Sequence, residues 1–418
     1  MSGIGVSNKQ KSVRWTGIIW QLIHLGGGGL LLIILWAILG RYWSVEGFGQ
    51  FNYIFAYISL AGIFIDFGLD VLLTRHIAGS NGNIPSNYWR LKFLCSLVFI
   101  SFFFIFGLYL TIPLFVLLSL LVGSLALSFT AFLNALIRAR DKLDIEAKIG
   151  IFQKASFILI SIYGVSFLHK QMLWVALCYA ISHILALGIT LISIKYNHLK
   201  RPKNSEKNSS IKTLFQTTFP LFLIALLSVL TLRIDIFLLQ AVLDEKAVGI
   251  YTAAMRLVEG CIVLGSAYQA AVFPKLVSLI GSADKFKVLF LKAIGHLLVG
   301  ALIIVIPGII LSPWIIELLY GHAFEQSSQI LIALLPVIIL VYQTTLFGSI
   351  IIAMSRQSHY LIILTIALGL NGIIDYIAIL NFGTIGAVIG FWAKEISLII
   401  MLAIYLKKNY FPVEKKAA

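Results

Sequence analysis

The chain has 418 residues, of which 60% are hydrophobic and only 12% charged, yet its formal net charge is +15. Soluble domains carry about 45–50% apolar and about 25% charged residues, so this composition excludes an ordinary soluble protein. Many apolar runs reach the roughly 18–20 residues needed to cross a bilayer, and the alternating ten-residue segments of a β-barrel are not seen, which points to a polytopic α-helical membrane protein.

The first residues are polar and carry Lys9, Lys11 and Arg14. The apolar run behind them is too long for a secretory signal and no small-residue cleavage site closes it, so it is expected to stay as span 1, Thr16–Gly40. Its run Gly26–Gly29 suits either close helix packing or a bend. Span 2 is expected over Phe51–Thr74, with Arg75 and His76 at its end. Span 3 is Phe93–Leu110, and Pro113 opens span 4, which runs to Ile137, because proline costs nothing at a helix start. The charged loop Arg138–Lys148 precedes span 5, Ile149–Leu168, and span 6, Met172–Ile194.

Lys195–Lys212 (KYNHLKRPKNSEKNSSIK) is the only long polar stretch inside the chain and divides it into two apolar parts, 1–194 and 213–418. Beyond it come span 7, Leu214–Ala241, and span 8, Val248–Val272. Spans 9 to 12 follow at Ala293–Leu311, Ser328–Ile352, His359–Leu380 and Ile385–Leu406. Pro220, Pro307 and Pro336 are expected to kink spans 7, 9 and 10. The longest segment on the outer side is Ser312–Ser327, too short for a soluble catalytic domain.

Charge sets the orientation. With a cytoplasmic N-terminus, 26 of the 32 Lys and Arg fall in inner segments and adjoining helix ends. Only Arg41, Lys170 and Lys246 are outside, and Arg233, Arg256 and Lys394 lie within spans. This bias places both termini in the cytoplasm and accounts for the positive charge without nucleic acid. Six spans per half give the halves the same orientation, related by an axis along the membrane normal. A short repeat agrees: Val45-Glu46-Gly47-Phe48-Gly49-Gln50-Phe51 matches Glu245-Lys246-Ala247-Val248-Gly249-Ile250-Tyr251. The expected architecture is therefore an all-α polytopic membrane protein of 12 transmembrane helices in two pseudo-symmetric six-helix bundles.

Three patterns carry a family resemblance: Asp66-Phe67-Gly68-Leu69-Asp70 with Leu73-Thr74-Arg75, Arg233-Ile234-Asp235 with Leu238-Leu239, and Phe382-Gly383-Thr384-Ile385-Gly386-Ala387. With two parallel bundles and a basic loop, the chain resembles the multidrug, oligosaccharidyl-lipid and polysaccharide (MOP) exporter superfamily, and within it the O-antigen flippases of the Wzx type. That resemblance implies movement of a polyprenyl-diphosphate-linked oligosaccharide across a bacterial inner membrane by alternating access. It implies no nucleotide hydrolysis and no cofactor, with the bilayer and the polysaccharide polymerase machinery as partners. A cation-coupled multidrug exporter of the same superfamily is the alternative, though span 1 lacks the acidic residue such exporters use. A membrane glycosyltransferase or polymerase fits less well, since no nucleotide loop or metal-spaced cluster is present. A structural scaffold has nothing for or against it except the buried charges.

Ionisable groups at bilayer depth persist only when paired or facing water. Arg233, Arg256 and Lys394 each lie about 12–14 Å from the outer end of their span, near the midplane of a core about 30 Å thick. A guanidinium fork matches a phosphate edge, so these three are the expected substrate-binding residues. Neutralisation by Asp235, Glu259 and Glu395 is the competing account. Asp66, Asp70, Asp235, Glu259 and Asp375 are the candidates for ion coupling or ion pairing. Cys95, Cys178 and Cys261 sit apart in apolar runs and suggest neither metal nor disulfide.

Overall fold

The structure is a computed structural model that describes Trp20 and residues 28–79, 84–138, 140, 142–168, 171–196, 210–280, 282–354 and 356–409. These are helical throughout. The first half holds α1 (Gly28–Tyr42), α2 (Val45–Asp66), α3 (Leu69–Gly79), α4 (Ser86–Tyr109), α5 (Leu114–Arg138), α6 (Leu143–Leu168) and α7 (Met172–Tyr196). The second holds α8 (Ile211–Val242), α9 (Glu245–Ser278), α10 (Ala283–Tyr320), α11 (Gln326–Leu334), α12 (Val337–Ala353), α13 (Gln357–Phe382) and α14 (Thr384–Asn409). A short 3-10 turn, His322–Phe324, joins α10 to α11.

Ten of the described helices are long and apolar enough to cross a membrane. The α11–α12 pair, bent by 44°, makes an eleventh when taken as one broken span. Much of predicted span 1, most of the basic linker and the end of the tail lie outside the described residues. The apolar surface is turned outward, as lipid requires: Leu97 and Ile105 of α4 and Ile303 and Ile310 of α10 are among the exposed side chains.

Helix starts follow local chemistry. Ser44 caps α2 by accepting from the Gly47 N–H, and Ser210 and Asp244 cap α8 and α9 in the same way. Pro113 immediately precedes α5.

Several expected boundaries are corrected. Predicted span 2 begins earlier, at Val45, and does not run unbroken to Thr74. Phe67 (φ 53°) and Gly68 (φ 70°) are both left-handed, which ends α2 and starts α3. A Cβ on Gly68 would crowd the Thr218 carbonyl and the Phe222 N–H of α8, so glycine is needed there twice over. Predicted span 9 extends in both directions into α10, 38 residues long, and Ser312–Ser327 is mostly helix instead of an outer loop. Pro220 and Pro307 stay inside continuous helices, whereas Pro336 sits at the 44° break. Spans 3, 5 and 8 also start earlier than predicted, because a helix continues past the apolar segment into the polar layer.

α5 packs along α7 and α13 along α14, while the two halves meet chiefly through α2 against α9 and α8. At the end where α2 and α9 begin, here the neutral end, two glycines make the contact reciprocal. A Cβ on Gly49 would overlap the Glu245 carbonyl, and a Cβ on Gly249 would overlap the Val45 carbonyl. These positions correspond at an offset of 200, so the short repeat packs on its own copy. At the opposite end, which carries the lysine-rich segments and is here the basic end, Phe67 stacks on Phe222 with ring centroids 4.6 Å apart, and Phe64 meets Phe222 edge-on at 5.0 Å. Phe215 adds a stacked ring 4.9 Å from Phe67.

A charged seam between the halves

Between those two ends lies a group built from four helices. Arg256 of α9 is 6% exposed, yet all three of its guanidinium nitrogens donate. Its Nε and Nη2 donate to Asn52 Oδ1 of α2 at 3.1 and 2.8 Å, and its Nη1 donates to Glu259 Oε2 at 2.8 Å. Asn52 is held for this task because its amide donates to the Phe48 carbonyl one turn earlier. The Arg256 guanidinium lies 4.2 Å from the centre of the Trp36 ring on α1, a cation–π contact. Arg233 of α8 takes the other carboxylate oxygen, Glu259 Oε1, at 2.5 Å. Two guanidiniums thus share one carboxylate and leave one positive charge in excess. Arg233 and Glu259 stay partly open, at 13% and 22%. Such a group can attract an anion while keeping its cations paired in the low-dielectric interior.

Lys394 does not join it. It is 1% exposed inside the second half, 3.2 Å from Glu395 Oε1, bonded to the Thr231 carbonyl at 2.9 Å and 3.6 Å from the Phe391 ring centre. Thr344 donates to the other Glu395 oxygen at 2.8 Å. Close by, Asp235 and Asp375 are almost fully buried and their carboxyls face each other. Tyr251 donates to Asp235 Oδ2 and Asn371 to Asp375 Oδ2, each at 2.6 Å. Gly390 makes room for this acid, since a Cβ there would overlap Asp375 Oδ1. Three carboxyls around one ammonium give this second group the opposite sign from the first.

Asp66 and Asp70 lie at the basic end of the first half. Asp66 pairs at 3.1 Å with Lys92, which is fully buried on α4 and also donates to Ser128 of α5 at 2.5 Å. Asp70 is 3.9 Å from Arg138, which also reaches Glu146 at 3.5 Å. On α3, too short to be a span, burial and then the Asp66 charge push the Asp70 carboxyl above the usual carboxylate range. Asp70, Arg138, Glu146 and His183 line a cavity of about 330 Å³ among α3, α5, α6 and α7.

Three contributors had escaped the sequence reading. Asn52 carries no charge, Trp36 is one aromatic within a long apolar run, and Lys92 stands at the edge of another. The only available signal was Asn52 lying three residues after Gly49 of the repeat.

Residues 15–280 match the family described as "Polysaccharide biosynthesis protein". The chain belongs to that family. No protein of curated description matches its sequence. In fold it is similar to the lipid II flippase MurJ in an inward closed conformation, at 17% identity and a TM-score of 0.73, over 93% of this chain and 87% of that one. It is similar to an inward-facing multidrug resistance MATE family transporter of the MOP superfamily, at 15% identity and a TM-score of 0.68, over 96% and 100% of the two chains. A MOP superfamily transporter from Pyrococcus furiosus, at 16% identity and a TM-score of 0.67, matches over 94% and 95%. The fold is therefore that of MOP-superfamily transporters, in a multi-pass membrane protein.

Proposed function

We propose that this protein is a flippase that carries a polyprenyl-diphosphate-linked oligosaccharide, such as an O-antigen repeat unit, across a bacterial inner membrane, and that it is not an enzyme. The observation that carries the reading is the Arg233–Glu259–Arg256 group, net positive, partly open and anchored to both halves. In a chain of a polysaccharide biosynthesis family, an anion held at a seam has a natural identity in the diphosphate of the carrier lipid. The guanidinium edges now bonded to Glu259 are the ones a diphosphate would take. Exchange of one anion for another keeps both arginines paired through the crossing, which avoids the cost of a bare buried cation. The sugars then occupy the polar space along the seam while the prenyl tail stays in lipid. The lobes 1–194 and 213–418 rock about the seam with 195–212 as their cytoplasmic tether, both termini on that side.

Lys394 belongs to the coupling machinery in this scheme. Asp235 and Asp375, facing each other in a low dielectric, call for a proton or a small cation between them. Its gain and loss would bias the packing of α8 against α13 and α14. Asp66 serves as an ion pair that ties the end of α2 to α4, and Asp70 as one that ties α3 to α5.

The buried acid pair also favours a second reading, a cation-coupled multidrug exporter. The two separate in one experiment in cells that make a surface polysaccharide. Arg256→Lys should retain part of the surface glycan. Arg256→Gln and Arg233→Gln should lose it at unchanged protein abundance, with lipid-linked repeat units accumulating on the cytoplasmic side. Near-normal glycan in the Arg233→Gln/Arg256→Gln double variant would sink the flippase reading. Heightened drug sensitivity instead would favour the exporter.

A further inference from the structure

At the basic end of the second half, away from the seam, three helices enclose a crevice of about 220 Å³. Phe347 of α12 forms its floor, Phe290 and Leu291 of α10 one wall, and Ala403 and Leu406 of α14 the other. The lining is apolar: Phe290 stacks on Phe286 with centroids 5.6 Å apart and touches Phe347 at 5.3 Å. Leu291, 55% exposed, opens the crevice toward the bilayer.

Two lysines stand at its mouth, Lys287 and Lys407, both exposed. Among the described residues neither has an acidic partner. Helix electrostatics explains only one of them. Lys407 lies in the last turn of α14, where a cation complements the helix dipole. Lys287 is the fifth residue of α10, beyond its first turn, so the helix dipole gives it no support. A general excess of basic residues on this face would not require two lysines from distant parts of the chain to converge on one apolar slot. Nor would a free phosphate ion use the apolar walls beneath them.

We propose that this crevice is a binding site for an anionic glycerophospholipid of the leaflet on the basic face. One acyl chain lies against Phe290, Phe347 and Leu406, and the phosphate sits between Lys287 and Lys407. The lipid wedges α10 and α14 against the later half of α12, where Phe347 lies. The occupant is distinct from the cargo, since no helix of this crevice contributes to the Arg233–Glu259–Arg256 group.

The test is native mass spectrometry of the full chain, released from micelles that contain phosphatidylglycerol and phosphatidylcholine in equal amounts. The intact protein should retain phosphatidylglycerol selectively. A lysine near an anionic headgroup contributes roughly fivefold in binding, so Lys287→Gln/Lys407→Gln should weaken retention roughly 25-fold. The charge-matched control Lys285→Gln/Lys408→Gln should leave it unchanged. Ala403→Trp, which fills the slot and keeps both lysines, should also abolish retention, and it reads the site even if the lysine pair fails to fold. Equal losses in the two lysine pairs would overturn the proposal, because they would mean diffuse attraction. So would full retention in Ala403→Trp, or displacement of phosphatidylglycerol by glycerol 3-phosphate alone. A wild-type preference for undecaprenyl phosphate over phosphatidylglycerol would assign the slot to the cargo tail and would overturn it too.

Discussion

At the neutral end of the seam, Gly49 and Gly249 bring backbone onto backbone with no side chain between them. At the basic end, Phe64 and Phe67 reach across to Phe215 and Phe222 through interleaved rings. The first contact has nothing that can rearrange, so it either holds or parts. The second is made of rotatable side chains and rests on a left-handed phenylalanine, a conformation that costs roughly 1–2 kcal/mol and persists only while its neighbours enforce it. The halves touch at both ends, but through contacts of very different tolerance. The basic end is therefore the one expected to open with least disturbance to the helices.

The largest effect should come from adding bulk at the neutral end. Gly49→Leu would push a side chain into the Glu245 carbonyl, a backbone atom that cannot swing aside. We expect loss of transport and a stability cost of about 3 kcal/mol, the upper end for overpacking. Wild-type transport by Gly49→Leu would show that the glycine contact does not matter.

Locking the basic end comes next. Phe64→Cys with Phe222→Cys, joined by a short reducible bis-thiol reagent, should arrest transport, and reduction should restore it. Transport that continues with the bridge complete would show that this end need not open.

The smallest effect is the most diagnostic. Phe67→Ala should destabilise by about 2 kcal/mol. That is below the roughly 3–5 kcal/mol of a soluble core, because in lipid packing is lost without exposure to water. Phe67→Gly should then be more stable than Phe67→Ala by about 1 kcal/mol, the reverse of the usual helical order, since glycine accepts a positive φ. Thermal unfolding of the two variants in one detergent decides it. Alanine above glycine would mean that residue 67 is not left-handed.

What could be read from the chain divides along physical lines. Apolar runs mark helices because lipid demands them: each of the twelve predicted spans overlaps a described helix, and for eleven, counting the bent pair as one, that helix is long and apolar enough to cross a membrane. Their ends were misplaced because a helix has no reason to stop where the lipid does, as α10 shows. The break at Phe67–Gly68 was hidden, since a single glycine in an apolar run is compatible with an unbroken helix. At the site, charge and depth pointed to Arg233 and Arg256, and spacing along one helix put Glu259 beside Arg256. Contacts between halves were out of reach. That Arg256 would rest on Asn52, and that Lys394 would turn away into its own half, depend on how helices rotate against each other, which no spacing along one helix reveals.

The reciprocal glycine contact has the geometry of a two-fold dimer interface, held within a single chain. In a true homodimer every group beside such an axis would occur twice, and a ligand would meet two equivalent walls. Here the axis is kept by Gly49 and Gly249 while the surroundings have diverged. Asn52 corresponds by the offset of 200 to Thr252, and the arginines and Glu259 stand only on the second half. A symmetric pivot thus carries an asymmetric lining, and an elongated cargo entering it has one preferred way round instead of two.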